Sequence, residues 1–223
     1  MTKKIIISAV VGLGLLSSCR TTVVFTTSEK DAQIYVDGKS MGSGQTPVVR
    51  VRKNTCVRVK AEKTGFLTEE LTYCYNGNNF GKPKTKYIVL PNDDAYDASV
   101  ITDYANKDFE VTVSKEWTEA EAWKIISQIV TNYFDNLEMA DKATGYMKTS
   151  WQSKSFIRKT NRSRIIVKQS SSTPLKYKIK IISEYSDNPD QSVKNDDAYK
   201  EWDRILRAYD NLITEFQTRL GQK

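Results

Sequence analysis

Few residues in this chain have the chemistry for catalysis or metal ligation. Histidine is absent from all 223 residues. Its absence removes Ser-His and Cys-His nucleophile pairs, imidazole metal ligands and the commonest proton shuttle at neutral pH. Two carboxylate pairs, Asp93-Asp94 and Asp196-Asp197, each lie in a polar stretch beside a predicted element. Solvation or helix N-terminal charge accounts for both. Gly12-Leu13-Gly14 falls inside an apolar run and makes no phosphate-binding loop. The chain reads as non-enzymatic, with no metal or cofactor expected. Three cysteines, Cys19, Cys56 and Cys74, and a regular set of cations remain as groups able to form bonds or hold charge.

Cys19 closes a distinctive segment. Lys3 and Lys4 precede an apolar run over residues 5–16, broken by Ser8, Gly12 and Gly14, and Ser17-Ser18 follow. A charged start, a short apolar middle and a small-residue exit describe an export signal, because the run is too short to cross a bilayer. Leu16-Ser17-Ser18-Cys19 resembles the lipobox of bacterial lipoproteins. The resemblance implies cleavage of residues 1–18 and a lipid on Cys19 that anchors the mature chain. Arg20-Thr21-Thr22 lacks the acidic stretch that resembles a surface-export signal. The expected location is therefore the periplasmic side of the outer membrane, with the inner membrane as the other option. The formal charge of +7 falls by two with the loss of Lys3 and Lys4. That mild excess suits phospholipid head groups or acidic protein faces. Nucleic acid is not an expected partner behind an export signal.

After Cys19 the chain carries short strand patterns at 22–27, 33–36, 48–52, 55–61, 67–75 and 86–90, with Asp37-Gly38 as a turn signal. Close spacing without a helical pattern predicts a small all-β sandwich over residues 19–91. Ala32, Tyr35-Val36-Asp37-Gly38, Gly42, Thr46-Pro47 and Gly65-Phe66 are similar to a PEGA domain, a small β module of bacterial surface and periplasmic proteins. That resemblance implies a fold and brings no catalytic residues.

The two remaining cysteines sit in adjacent strands of this block. A hairpin that sets Cys56 opposite Cys74 also sets Val57 opposite Tyr73, Val59 opposite Leu71 and Lys60 opposite Glu70. Apolar face meets apolar face, and one opposite-charge pair forms. Opposed Cα atoms in such a pair stand about 4.5–5.5 Å apart, within disulfide reach. An oxidising compartment then favours a Cys56–Cys74 bridge.

Residues 92–106 are acidic and weakly patterned and read as a linker to a second domain, 107–223. There a strand at 108–115 leads to Thr118, with Glu121 at capping-box spacing. Ala122, Ile125, Ile126, Ile129, Val130, Tyr133, Phe134 and Leu137 form a helical stripe suited to core packing. Strands are predicted at 137–141, 146–152, 164–169 and 175–181, with a basic loop at 154–162. A long helix is predicted from about 197 to 220, on the stripe Trp202, Ile205, Leu206, Tyr209, Leu212, Ile213, Phe216 and Leu220. The expected class is thus α+β in two domains, the second an antiparallel sheet covered by helices in the order β-α-β-β-β-β-α. The stretch 119–151, with Ala122-Trp123, Asp141 and Gly145, resembles the helix-grip domains of BamC-type (NlpB) lipoproteins, accessory subunits of outer-membrane β-barrel assembly.

Lys176, Lys178 and Lys180 alternate with Leu175, Tyr177, Ile179 and Ile181, so the lysines share one strand face. Arg164 and Lys168 are placed beside them from the neighbouring strand, and Arg158, Lys159 and Arg162 lie in the loop that feeds it, with Lys154 at its start. Such a face can dock an anionic membrane or an acidic protein. It equally suits an ordinary solvated surface, where lysine serves solubility. The expected function is a lipid-anchored adaptor that contributes binding surfaces to an envelope assembly, secretion or cell-wall-anchoring complex. The alternative is a carrier that holds a lipid or other apolar ligand between the C-terminal helix and the sheet.

Overall fold

The computed structural model describes residues 20–77 and 84–221. The export signal and Cys19 lie outside the described residues. The chain divides into two compact units, Met1–Asn92 and Asp93–Lys223.

In the first unit, β1 (Arg20–Thr27), β2 (Gln33–Val36), β3 (Lys39–Ser43), β4 (Val49–Arg52), β5 (Thr55–Glu62), β6 (Glu69–Tyr75) and β7 (Lys84–Ile88) form two sheets. Their orders are β4-β1-β7 and β3-β2-β5-β6. Period-two alternation drives this: β1 buries Thr21, Val23, Phe25 and Thr27, and β4 buries Val49 and Val51. These residues meet Ile34, Val59 and Ala61 of the other sheet in one core. Phe25 and Tyr73 touch edge to face across it at 5.8 Å. The β2–β3 hairpin turns through Asp37 (φ 49°) and Gly38 (φ 79°), the left-handed pair that a two-residue turn requires. Gly44 (φ 68°) is needed for a second reason, since a Cβ there would collide with the Lys30 carbonyl.

In the second unit, α1 (Asp94–Asp97), β8 (Ser99–Ile101) and β9 (Asp108–Thr112) precede the main helix, α2 (Glu119–Tyr133). Then come β10 (Leu137–Asp141), β11 (Tyr146–Thr149), β12 (Gln152–Ser155), β13 (Thr160–Ser172) and β14 (Leu175–Ser186). Two short strands, β15 (Lys200–Glu201) and β16 (Arg204–Leu206), lead to α3 (Leu212–Leu220). The long β13–β14 pair is the spine of a seven-stranded sheet, flanked by β11 and β10 on one side and β9 on the other. Thr118 caps α2 in a full capping box, its hydroxyl accepting from the Glu121 amide while Glu121 accepts from the Thr118 amide at 2.9 Å. Ile126, Ile129 and Val130 of α2 and Leu212, Phe216 and Leu220 of α3 share one core with Ile165, Val167, Tyr177, Ile179 and Ile181 of the sheet.

Three expectations change here. The fold class is mainly β, not α+β: strands make up 50% of the structure against 17% helix, with four sheets and three short helices among the described residues. The expected helix at 197–220 forms only over its last turns. Trp202, Ile205, Leu206 and Tyr209 are buried, but from extended and 3₁₀ chain. There the Trp202 amide donates to the Ser183 carbonyl at 2.9 Å, the Arg207 amide donates to the Ala98 carbonyl at 2.9 Å, and Ile205 faces Val100 in a strand pair. Tertiary pairing wins over local helical spacing, and Asp210-Asn211 favours the start of a helix over its interior. The stretch read as a linker also holds structure: it contains α1 and β8 and belongs with the second unit.

Candidate docking face

The bridge in the first unit forms in the expected register. Cys56 faces Cys74, Val57 faces Tyr73, Val59 faces Leu71 and Lys60 faces Glu70. The sulfurs are bonded at 2.03 Å, with Cα atoms 4.0 Å apart. Both cysteines lie on the exposed side of the pair, while Val59 is buried. Lys60 does not use the opposed Glu70; its ammonium binds Glu62 at 2.7 Å, two residues along its own strand. That contact raises the Lys60 pKa and lowers that of Glu62.

The eight cations singled out in the sequence separate into distinct environments. Arg158 and Lys159 sit in a tight loop closed by the Phe156 amide on the Lys159 carbonyl at 2.8 Å. Lys159 then reaches Asp93 at 3.0 Å. Asp93 is itself the cap of α1, accepting from the Ala95 and Tyr96 amides, and Asp94 accepts from the Ile157 amide. The first aspartate pair is therefore used as helix-terminal charge and loop anchor.

Arg162 is on no free face, for it is 2% exposed. Its guanidinium binds Glu184 at 2.6 and 2.7 Å, Asp196 at 2.7 Å and the Val193 carbonyl at 2.5 Å. It also lies 4.0 Å from the Tyr199 ring and 4.1 Å from the Trp151 ring. Arg164 packs against Trp151 as well, at 4.0 Å, and approaches Glu138 at 4.0 Å. Tyr199, Trp151 and the two arginines thus form one cation–π cluster, the arrangement a buried arginine needs to offset desolvation. Trp151, Tyr199 and Glu184 were not singled out from sequence. The available signal was two arginines spaced by two on a strand, with a tryptophan one short turn upstream.

Lys168, Lys176, Lys178 and Lys180 do share the outer face of the sheet. The ladder places Asp141, Tyr146, Lys168, Lys178 and Glu110 in one row across five strands, and Met139, Lys148, Ile166, Lys180 and Asp108 in the next. Asp141, Glu110 and Asp108 lie at the edges of this grid and Lys148, Lys168, Lys178 and Lys180 nearer its centre. Lys176 binds Glu110 at 2.8 Å, and this contact, above burial and the lesser help of Ser170, holds the Glu110 carboxyl below its usual range. Lys148 binds Glu138 at 2.8 Å. Asp141 is engaged by its own hairpin, accepting from the Thr144 hydroxyl at 2.7 Å and the Ala143 amide at 2.9 Å.

The space between α3 and the sheet is filled by core side chains, Leu212, Phe216 and Leu220 of α3 packing with Phe109 and Val111 of β9. Phe134 stacks on Tyr209 at 4.9 Å, and Phe109 meets Phe216 at 6.3 Å. A surface cleft of ≈ 710 Å³ lies beside the C-terminal end of α3, lined by Trp117, Ile125, Thr218 and Arg219 among others. Among the described residues no group of three or more Cys, Asp or Glu side chains is placed to hold a metal ion. No described helix is long and apolar enough to cross a membrane. No protein-family model matches the chain, and a search of curated proteins finds no match.

Proposed function

We propose that this protein is a lipid-anchored, non-catalytic adaptor of the bacterial cell envelope. Its tether is Cys19, and it faces the periplasm from the outer membrane. The observation that carries the reading is the outer face of the second unit's sheet, where a centre of lysines is displayed while neighbouring acids are engaged by other residues. A surface of that kind suits binding, since it displays an excess of one charge over an open sheet face. The exposed Cys56–Cys74 bridge supports an oxidising compartment. The PEGA-like pattern of the first unit and the BamC-like stretch of the second belong to the same reading: binding modules held near a membrane. The packed core beneath α3 favours an adaptor over a carrier of apolar ligands.

The test is affinity purification of the tagged full chain from detergent-solubilised envelopes, followed by native mass spectrometry. A stoichiometric protein partner supports the adaptor. A chain that arrives alone with one tightly held apolar molecule overturns it in favour of the carrier.

A further inference from the structure

Three lysines at the centre of the sheet face are arranged at a cost that nothing else in the fold explains. Lys168 and Lys178 are directly opposed across β13 and β14, and Lys180 follows two residues along on the same face. Like charges placed directly opposite destabilise a strand pair. Among the described residues none of the three makes an ion pair or a hydrogen bond, although Lys176, Lys148 and Arg162 around them all do. With Ile166 and Asp108 they line a hollow of ≈ 20 Å³. Three ammonium groups line the hollow against the one carboxylate of Asp108, and the nearby Glu110, opposite Lys178, is already held by Lys176 at 2.8 Å. A hollow of this size has room for about one water-sized atom. It can seat a single oxygen of an oxyanion, while the rest of the group stays outside. That geometry fits a phosphate presented by a larger body and does not fit an enclosed free ion. The same rows hold Ile166 and Met139, the latter 55% exposed, so apolar and cationic side chains interleave as they do at lipid interfaces.

We propose that Lys168, Lys178 and Lys180 bind the phosphate of anionic membrane lipids, so that this sheet face lies on the bilayer surface. The proposal rests on the reading of an envelope-anchored protein. It adds that the second unit contacts the membrane directly, through a second attachment besides the lipid on Cys19.

The experiment uses the full lipid-modified chain reconstituted into vesicles of phosphatidylcholine alone or with phosphatidylglycerol. The rate of lysine acylation at each position is read by peptide mass spectrometry. The expected result is about fivefold slower acylation at Lys168, Lys178 and Lys180 in the anionic vesicles, the magnitude of one lysine–surface attraction. Lys124, on the exposed side of α2, is expected to react equally in both vesicles. High salt removes the difference. Equal rates at the three lysines in both vesicles overturn the proposal. Protection by inorganic phosphate in phosphatidylcholine vesicles, equal to that by the anionic lipid, overturns the membrane source and assigns the site to free phosphate. Protection only when a co-purified protein is present assigns it to an acidic partner. Failure of the anchored reading registers separately: the chain then does not float with either vesicle.

Discussion

Asn106 and Ser183 exchange two hydrogen bonds: the Ser183 amide donates to Asn106 Oδ1 at 2.9 Å, and Asn106 Nδ2 donates to the Ser183 carbonyl at 2.9 Å. The same Nδ2 donates to the Trp202 carbonyl at 2.9 Å, so one side chain ties the segment before β9 to both β14 and the chain before β16. Asn106 holds a left-handed backbone (φ 61°) to do so, a conformation asparagine tolerates better than most residues.

Asn106→Ala is expected to destabilise the second unit by about 2–4 kcal/mol, because it leaves part-buried backbone groups without partners and keeps a strained φ. All four tryptophans lie in this unit, at 117, 123, 151 and 202. Urea unfolding followed by tryptophan fluorescence therefore reads it directly. An unchanged midpoint contradicts the assignment.

Arg162→Ala is expected to cost about 3–5 kcal/mol by the same measurement, since Glu184 loses the buried partner that neutralises it. Arg162→Lys should recover little of this. A lysine supplies charge but neither the two-pronged contact with Glu184 nor the flat guanidinium that lies between Trp151 and Tyr199. Full recovery by lysine would show that charge alone matters there.

Replacing both Cys56 and Cys74 with serine is expected to lower the stability of the first unit by roughly 3 kcal/mol, the closure entropy of a loop whose ends are 18 residues apart. Circular dichroism follows this unit, which has no tryptophan. The second unit's fluorescence transition should not move. A thiol titration of the denatured, non-reduced mature chain should find neither cysteine free.

Burial pushes the Tyr177 and Tyr209 hydroxyls up to about 12, with smaller contributions from Glu119 and Asp135 respectively. Their folded values lie above the ordinary unfolded one near 10, so both stay neutral at no cost to stability below about pH 10. As pH rises from about 10 to 12 the unfolded chain loses these protons first, and the second unit should lose stability across that window. The two differ in one respect. Tyr209 donates to Gln152 Oε1 at 2.7 Å, whereas the buried Tyr177 hydroxyl has no hydrogen-bond partner among the described residues. Tyr209→Phe is therefore expected to cost about 1 kcal/mol, and Tyr177→Phe to be neutral or stabilising. A comparable loss for Tyr177→Phe contradicts the unpartnered hydroxyl.

Strong local patterns carried the parts of the fold that were legible in the sequence. Alternation placed β4, β5 and β14, β-branched residues marked β1, and the pairing of Val57 with Tyr73 and Val59 with Leu71 fixed the register that joins Cys56 to Cys74. Thr118 and Glu121 marked the start of α2. Legibility ended where partners distant in sequence decide the conformation. Ile205 is extended because Val100 is its strand neighbour, and residues 92–106 are ordered because Ser183 and Trp202 receive Asn106. On the outer sheet face, spacing placed Lys176, Lys178 and Lys180 together, as the ladder does. It could not show that Arg162 is buried between two rings or that Glu110 neutralises Lys176, since both depend on which strands become neighbours.

Anchoring through Cys19 underlies both the adaptor reading and the membrane contact of the sheet face, and one measurement tests it most directly. Full-length chain expressed with its export segment and extracted from the membrane fraction is digested, and the N-terminal peptide is identified by mass spectrometry. The expected peptide starts at Cys19 and carries a thioether-linked diacylglycerol. A peptide that begins upstream of Cys19, or one that starts at Cys19 with a free thiol, contradicts it.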